Sequence, residues 1–281
     1  MKAKVFERSV KLGRPAGSAV FPSLALAVLA VTAFCALLLA GCSDPGPGEV
    51  LVLAVSNDLA DSGIEGAASA FGRAKGAEVE IRWVSDEQAM DLLRFGECDV
   101  AVSHYRDGLE RLLNWNYVTG KAEVMRDEYV LVGPPGDPAG LEGVGSLQDA
   151  WKKIAESGAL LLAREDGSGA SRFVASLVMG IEVPGRGNLV QTVKGDEAEL
   201  LRSAAERGAY ALAMKRYYEA SPGGLKVFFR DENSLKDVYY AVAVNPEVYP
   251  DARIALASEF IEYLTSEEGQ SMLSPSLRVR P

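Results

Sequence analysis

Residues Gly158 to Phe173 read GALLLAREDGSGASRF, and the fold turns on how they are read. Ala159 to Ala163 is an apolar run short enough to be a buried strand of a parallel sheet. Arg164, two acids and a Gly-Ser-Gly turn follow. Ser168 to Met179 then sets Phe173, Val174, Leu177 and Val178 at helical spacing. A strand, a glycine turn and a helix start in succession aim free backbone N–H groups and the positive end of a helix at one point, which suits an anion. Arg164 would add a planar cationic fork, and Ser168 and Ser171 hydroxyl donors. The same residues also read as a plain strand–helix connection with Ser168 as its N-cap, a turn common to all α/β domains.

Outward from this stretch, strand and helix alternate. Strands are predicted over Val50–Val55, Glu78–Val84, Asp99–Ser103, Glu128–Val132, Ala209–Ala213 and Val238–Val244. Helices are predicted over Ile64–Ala74, Glu87–Phe95, Leu109–Trp115, Ser146–Glu156, Asp196–Arg207, Arg253–Leu264 and Glu267–Leu273. This rhythm implies a parallel sheet with helices on both faces. One strand running into Gly133-Pro134-Pro135 and another returning late divide the chain into two lobes: 49–131 with 239–281, and 132–238. Ligands of open α/β sheets bind beyond the carboxyl ends of strands. Those ends are Ser56-Asn57-Asp58, Ser85-Asp86-Glu87, His104, Arg164 to Ser171 and Ala213 to Arg216, and they are expected to converge on one cleft that closes by hinge motion.

The first 41 residues stand apart. Lys2, Lys4, Arg8, Lys11 and Arg14 make a basic start, and Ala19 to Ala40 is almost wholly apolar. The run is long enough to span a bilayer. It ends, however, in Leu39-Ala40-Gly41-Cys42, small residues before a cysteine, followed by the Gly/Pro tether of residues 42–48. That is the pattern of a secretory signal cleaved at a lipobox, with Cys42 lipidated and the chain held on the extracytoplasmic face of a bacterial cell membrane. Cys35 would leave with the signal, so Cys98 is left without a disulfide partner and roughly 230 residues must be held by a core.

Five of the 29 basic residues and one of the 39 acids precede Cys42, which leaves 24 and 38, a formal charge of −14. Such a surface argues against nucleic acid and anionic lipid headgroups as partners. It does not exclude a small anion in a cleft. Candidate catalytic chemistry is thin. His104 is the sole histidine, Cys98 stands at the start of the strand that His104 ends, and no paired His/Cys spacing of a metal site occurs. Trp83, Trp115 and Trp151 read as packing residues, and Lys215-Arg216-Tyr217-Tyr218 as a short helix or a basic-aromatic contact. No cofactor or catalysis is expected.

From Val50 to Gln270 the sequence resembles the tungstate/molybdate substrate-binding lipoproteins of ABC importers. The resemblance is carried by Ala60-Asp61-Ser62-Gly63, Gln88-Ala89, Asp99-Val100 with His104, Glu123-Val124-Met125, Tyr129 to Pro134 and Asp137-Pro138-Ala139-Gly140. Late in the chain it continues in Lys153 to Ala159, Arg207 to Tyr210, Ala243 to Pro246 and Leu264 to Gln270. It implies a two-lobed α/β fold of the type II periplasmic-binding-protein kind, a monomer with a ligand cleft between its lobes, a tetrahedral oxyanion as ligand, and an ABC permease as partner. It also implies Ser56, Asn57, Asp58, Ser85, Arg164, Ser168, Gly169, Ser171 and Lys215 as ligand-loop residues.

Those loops are also where the chain departs from the family. Asp58 stands in a loop of threonines and serine, Ser85-Asp86-Glu87 replaces Gly-Thr-Gly, Ala170 replaces a threonine, Gly195-Asp196-Glu197 replaces Gly-Met-Gly, and Ala211, Ala213, Met214 and Lys215 replace Thr-x-Thr-Asp-Arg. Acids at helix starts are favoured as N-caps and by the helix dipole, and in that role they point away from the cleft. If they face inward instead, the ligand changes, to a cation or cationic solute, or the chain serves as a sensor or partner-binding module.

Overall fold

Hydrophobic residues fall on both faces of each central strand, and this dictates a sheet buried between helical layers. The computed structural model describes residues 49–165, 171–172, 174–176 and 189–279. The predicted leader with Cys42 and the predicted ligand residues Ser168 and Gly169 lie outside the described residues. In β1 (Val50–Ser56), Leu51, Leu53 and Val55 pack on one side with Phe71, Phe260 and Tyr239, while Ala54 packs on the other with Leu93, Leu109 and Val242. The alternation follows from the two-residue repeat of a strand. Helix α1 (Ile64–Lys75) covers the first face. Helices α2 (Asp86–Phe95) and α3 (Arg106–Asn114) cover the second.

β1 pairs in parallel with β2 (Glu78–Val84) and β3 (Val100–Ser103). β3 then pairs antiparallel with β9 (Lys236–Val244), and β9 antiparallel with β4 (Val118–Gly133). β4 is 16 residues long. It follows β9 as far as Glu128. From Tyr129 it pairs antiparallel with β7 (Tyr210–Met214), and from Val130 with β8 (Lys226–Arg230) as well. The second half is completed by β5 (Leu161–Arg164), parallel to β7 and to β6 (Val190–Val193). Helices α4 (Leu147–Ser157) and α5 (Glu197–Arg207) bury Trp151, Ile154, Leu200 and Ala204 against its two faces. Helix α6 (Lys215–Ala220) follows β7 directly, and α7 (Ile254–Thr265) and α8 (Glu267–Met272) close the chain.

The sheet is therefore mixed and not the parallel one that the strand–helix rhythm predicts. Strands joined by helical crossovers (β1 with β2, β5 with β7) are parallel, whereas β4 and β9 run between the two halves and lie antiparallel to their neighbours. Of the three tryptophans, Trp151 is core at 1% exposure and Trp115 is 58% exposed. No described helix is long and apolar enough to cross a membrane.

One loop near the site is locked by the carboxyl-terminal segment. Gly63 takes φ +84°, and a Cβ there would lie 2.4 Å from the Met272 carbonyl oxygen. Beside it, Ser274 N–H donates to Ser62 O at 2.7 Å and Ser274 Oγ to Asp61 O at 2.8 Å. This clamp fixes the short turn Asn57–Leu59 at the end of β1, which carries Asp58.

Candidate functional site

The carboxyl ends of β1, β3 and β5, the starts of α2 and α5, and the β4–β9 crossing bring nine ionisable side chains together. They are Asp58, Asp86, Asp127, Glu197 and Asp237 against His104, Arg164, Arg172 and Arg216.

Arg164 ends β5 and is buried. Its Nη1 donates to Asp58 Oδ1 at 2.8 Å and to Glu197 Oε2 at 3.3 Å. Glu197, the first residue of α5, is 2% exposed, and its Oε1 accepts from the Met214 N–H at 2.6 Å. Burial pushes its carboxyl up to about 7 against the opposing pull of that amide and of Arg164.

His104, just past β3, is stacked on Tyr239 with ring centroids 4.7 Å apart and planes 7° from parallel. Its Nδ1 is 2.6 Å from Asp237 Oδ2. Its Nε2 is 2.7 Å from Asp86 Oδ2 and 3.5 Å from Asp58 Oδ2. Burial opposes the imidazolium, but Asp237 and Asp86 outweigh it and hold the ring's pKa well above its ordinary value. Asp86 accepts from Ser103 Oγ at 2.6 Å and from Arg172 Nη2 at 3.1 Å. Burial would raise its pKa, yet His104, Ser103 and Arg172 hold it well below the usual carboxylate range.

Arg172 also lies over the Tyr105 ring, 3.9 Å from the centroid. Arg216, in the first turn of α6, donates to the backbone carbonyl of Asp58 and sits 3.0 Å from Asp127 Oδ2. Burial pushes Asp127 up to about 7, with Arg216 opposing. Tyr129 donates to Asp237 at 3.2 Å. Beside this cluster a cavity of about 270 Å³ is lined by His104, Tyr105, Tyr129, Arg172 and Asp237, among others.

Of the predicted ligand residues, the structure brings Asp58 and Arg164 together, and Ser171 donates its hydroxyl to the Arg164 carbonyl. Ser56 is buried at the end of β1, while Asn57 beside it is exposed. Two others are engaged with neighbours in this structure. Ser85 is engaged in a capping box with Gln88 at the start of α2. Lys215 Nζ lies 2.7 Å from Glu128 Oε2, with its side chain about a third exposed.

The loop acids divide. Glu87 and Asp196 are exposed, with Asp196 capping α5, as expected of helix-start acids. Asp58, Asp86 and Glu197 turn inward. Sequence reasoning did not find Asp127, Asp237 or Arg172. It placed His104 and Arg216 at strand ends converging on the cleft but gave neither a role there.

A two-lobed α/β chain with β4 and β9 passing between its halves, and with the ends of its parallel strands gathered at one charged cluster, has the architecture of a type II periplasmic binding protein. The chain belongs to the PBP superfamily, whose domain model matches residues 43–268. It is 29% identical over 244 residues to a Haloferax volcanii protein provisionally named an ABC transporter anion-binding protein, covering 83% of this chain and 71% of that one. It is 26% identical to the tungstate-binding protein TupA of Peptoclostridium acidaminophilum, covering 88% and 92%. Among solved structures, the tungstate-binding protein TupA of Desulfovibrio alaskensis superposes with a TM-score of 0.69 at 26% identity, covering 79% of this chain and 92% of that one.

Proposed function

We propose that the chain is the extracytoplasmic substrate-binding protein of an ABC importer, anchored by lipid on Cys42, and that its cleft takes a tetrahedral oxyanion of the tungstate or molybdate kind on Arg164. The observation that carries this is the buried Arg164–Asp58 pair. A guanidinium at the end of β5 is met at 2.8 Å by a carboxylate from the turn after β1, so an oxygen anion already sits where an oxyanion would bind. The relatives named as tungstate- or anion-binding proteins support the same class of ligand, and support reading the chain as a binding protein and not an enzyme.

Asp58 cannot stay in place beside such a ligand. Two unit charges about 4 Å apart repel by about 4 kcal/mol at an effective dielectric near 20, and a dianion doubles that. The anion therefore replaces the Asp58 carboxylate on Arg164. Thermal denaturation of the full chain in detergent tests this. Tungstate or molybdate at a hundredfold excess over Kd is expected to stabilise by about 2.7 kcal/mol, or roughly 5–11 °C. Asp58→Ser removes the competitor and is expected to tighten binding more than about tenfold, the equivalent of about 1.4 kcal/mol. No shift in either protein would sink the oxyanion reading.

A second reading has one observation behind it. Each of Arg164, Arg172, Arg216 and His104 already has a carboxylate partner, which is what a cleft closed on itself in a sensor or partner-binding module would need. The inward acids are met by the same cations, which weakens the case for a cationic ligand. Lipid anchoring has its own test. Cys42→Ala is expected to move the protein out of the membrane fraction and change its mature mass, and unchanged fractionation and mass would refute the anchor.

A further inference from the structure

Glu197 is fixed from two sides, and its bearing on a ligand rests on the reading that Arg164 anchors the anion. One of its oxygens accepts from the Met214 amide at 2.6 Å and the other from Arg164 Nη1 at 3.3 Å, the same nitrogen that holds Asp58. At 2% exposure, in the first turn of a helix packed on the second half of the sheet, it has nowhere to swing. An oxyanion that takes the place of Asp58 Oδ1 therefore has the Glu197 carboxylate as its neighbour. A carboxylate only accepts, and so do the oxygens of a fully ionised oxyanion. The two hydrogens of Arg164 Nη1 can serve both, as they serve Asp58 and Glu197 here, but one guanidinium does not neutralise a buried carboxylate and a dianion held side by side, and a proton on Glu197 relieves the excess charge.

The charged groups that act most strongly on Glu197 are Arg164 on β5 and Asp58 on the turn after β1, and Glu197 in turn acts on Tyr129 of β4 and Tyr217 of α6. Both phenols are held neutral by burial and by the nearby acids. Strands β6 (VQTV) and β7 (YALAM) carry no charged side chain. On α5 itself, Asp196 caps the helix and Glu199 is paired with Arg202. Arg216 is taken by Asp127 and the Asp58 carbonyl. Burial already pushes Glu197 up to about 7 with Asp58 beside it, so near neutrality the site is poised to accept one proton.

We propose that Glu197 makes this a site for an oxyanion accompanied by a proton: the anion either carries the proton itself, as hydrogen phosphate does, or draws one from solvent onto Glu197, as tungstate must. The linkage selects among oxyanions by protonation state as well as by shape.

Isothermal titration calorimetry of the full chain with sodium tungstate and with inorganic phosphate, in buffers of differing ionisation heat, tests the proposal. For tungstate, affinity is expected to fall about tenfold per pH unit above about pH 7, with about one proton taken up per anion. Phosphate, which keeps its own proton through this range, should show little slope. Glu197→Gln, a neutral side chain of the same shape, should abolish both the slope and the proton uptake for tungstate. Tungstate binding without slope or uptake overturns the proposal and leaves the importer reading standing. A Glu197→Gln variant that keeps the full slope does the same. If neither anion binds at any pH, the importer reading falls and takes this proposal with it. The proton count on the unmodified chain is decisive even if the variant fails to fold.

Discussion

Arg164→Ala is the perturbation that most directly probes the cluster. A strand-end arginine at a ligand cleft is expected from sequence to matter for binding and little for folding. The structure reverses the second half of that expectation, because Arg164 is 7% exposed and is the shared partner of Asp58 and Glu197. Its removal leaves two buried carboxylates on a void. Truncating one partner of a buried ionic pair costs about 3–5 kcal/mol. In a domain of this size that is about 6–20 °C in Tm. The loss has a pH signature. Glu197 titrates at about 7 even with Arg164 beside it and rises further without it, so at pH 5 it is neutral and the penalty shrinks. Scanning calorimetry or fluorescence-monitored melting of parent and variant at about pH 5 and about pH 8 measures both effects, and Asp58→Asn added to Arg164→Ala should recover part of the loss at the higher pH. A variant that melts with the parent at the higher pH, or loses equally at both, would refute the reasoning.

The remaining predictions concern stability against pH and the buried thiol of Cys98. Burial raises Glu197 and Asp127 to about 7, so between their ordinary values of 4.5 and 3.8 and that point the folded chain holds protons that the unfolded chain has released, and stability falls as pH rises. His104, held up by Asp237 and Asp86, contributes stability that is complete below 6.5 and drains as pH rises through its folded value; Asp86, held down, contributes above 3.8 and is lost on acidification. Melting temperature should therefore peak at about pH 5 and decline toward about pH 8, and a rise over that interval would contradict the charge assignments. Cys98 is 3% exposed, and burial pushes its thiol up to about 12. It should resist iodoacetamide in the native state and react once the chain is unfolded in guanidinium, with rapid native labelling as the contrary result.

Much of the architecture is legible in the sequence because buried strands are apolar on both faces and their helices are periodic. The strands that escape have other compositions. The first half of β4, VTGKAEVMRDE, is polar and interrupted by Gly120, so only its apolar end at Glu128–Val132 reads as a strand. VQTV and KVFFR are short outer strands with few buried residues. In the site, Asp58 and Arg164 are legible because they stand at strand ends. Asp127 and Asp237 are not, because they lie inside β4 and β9 and become neighbours only where those strands pass between the halves. The helix-start acids show a finer limit. In both α2 and α5 the first helical residue, Asp86 or Glu197, is buried while an adjacent acid, Glu87 or Asp196, is exposed. One residue is a 100° turn on a helix, and composition does not say which of two adjacent acids takes the inner position.

The Asp58–Arg164 pair has a consequence for how the protein responds to concentration. A ligand that must evict a tethered competitor faces that group at its effective concentration, which for a short, ordered loop is of the millimolar order or higher. The apparent dissociation constant is the intrinsic one divided by the fraction of molecules in which Arg164 is unclaimed. If Asp58 holds it about 99% of the time, affinity is weakened about a hundredfold without any change in the contacts of the bound state. On the proposed reading, such a protein fills along an ordinary saturation curve moved to higher anion concentration, the opposite of a scavenger's. A single substitution at Asp58 would move that midpoint.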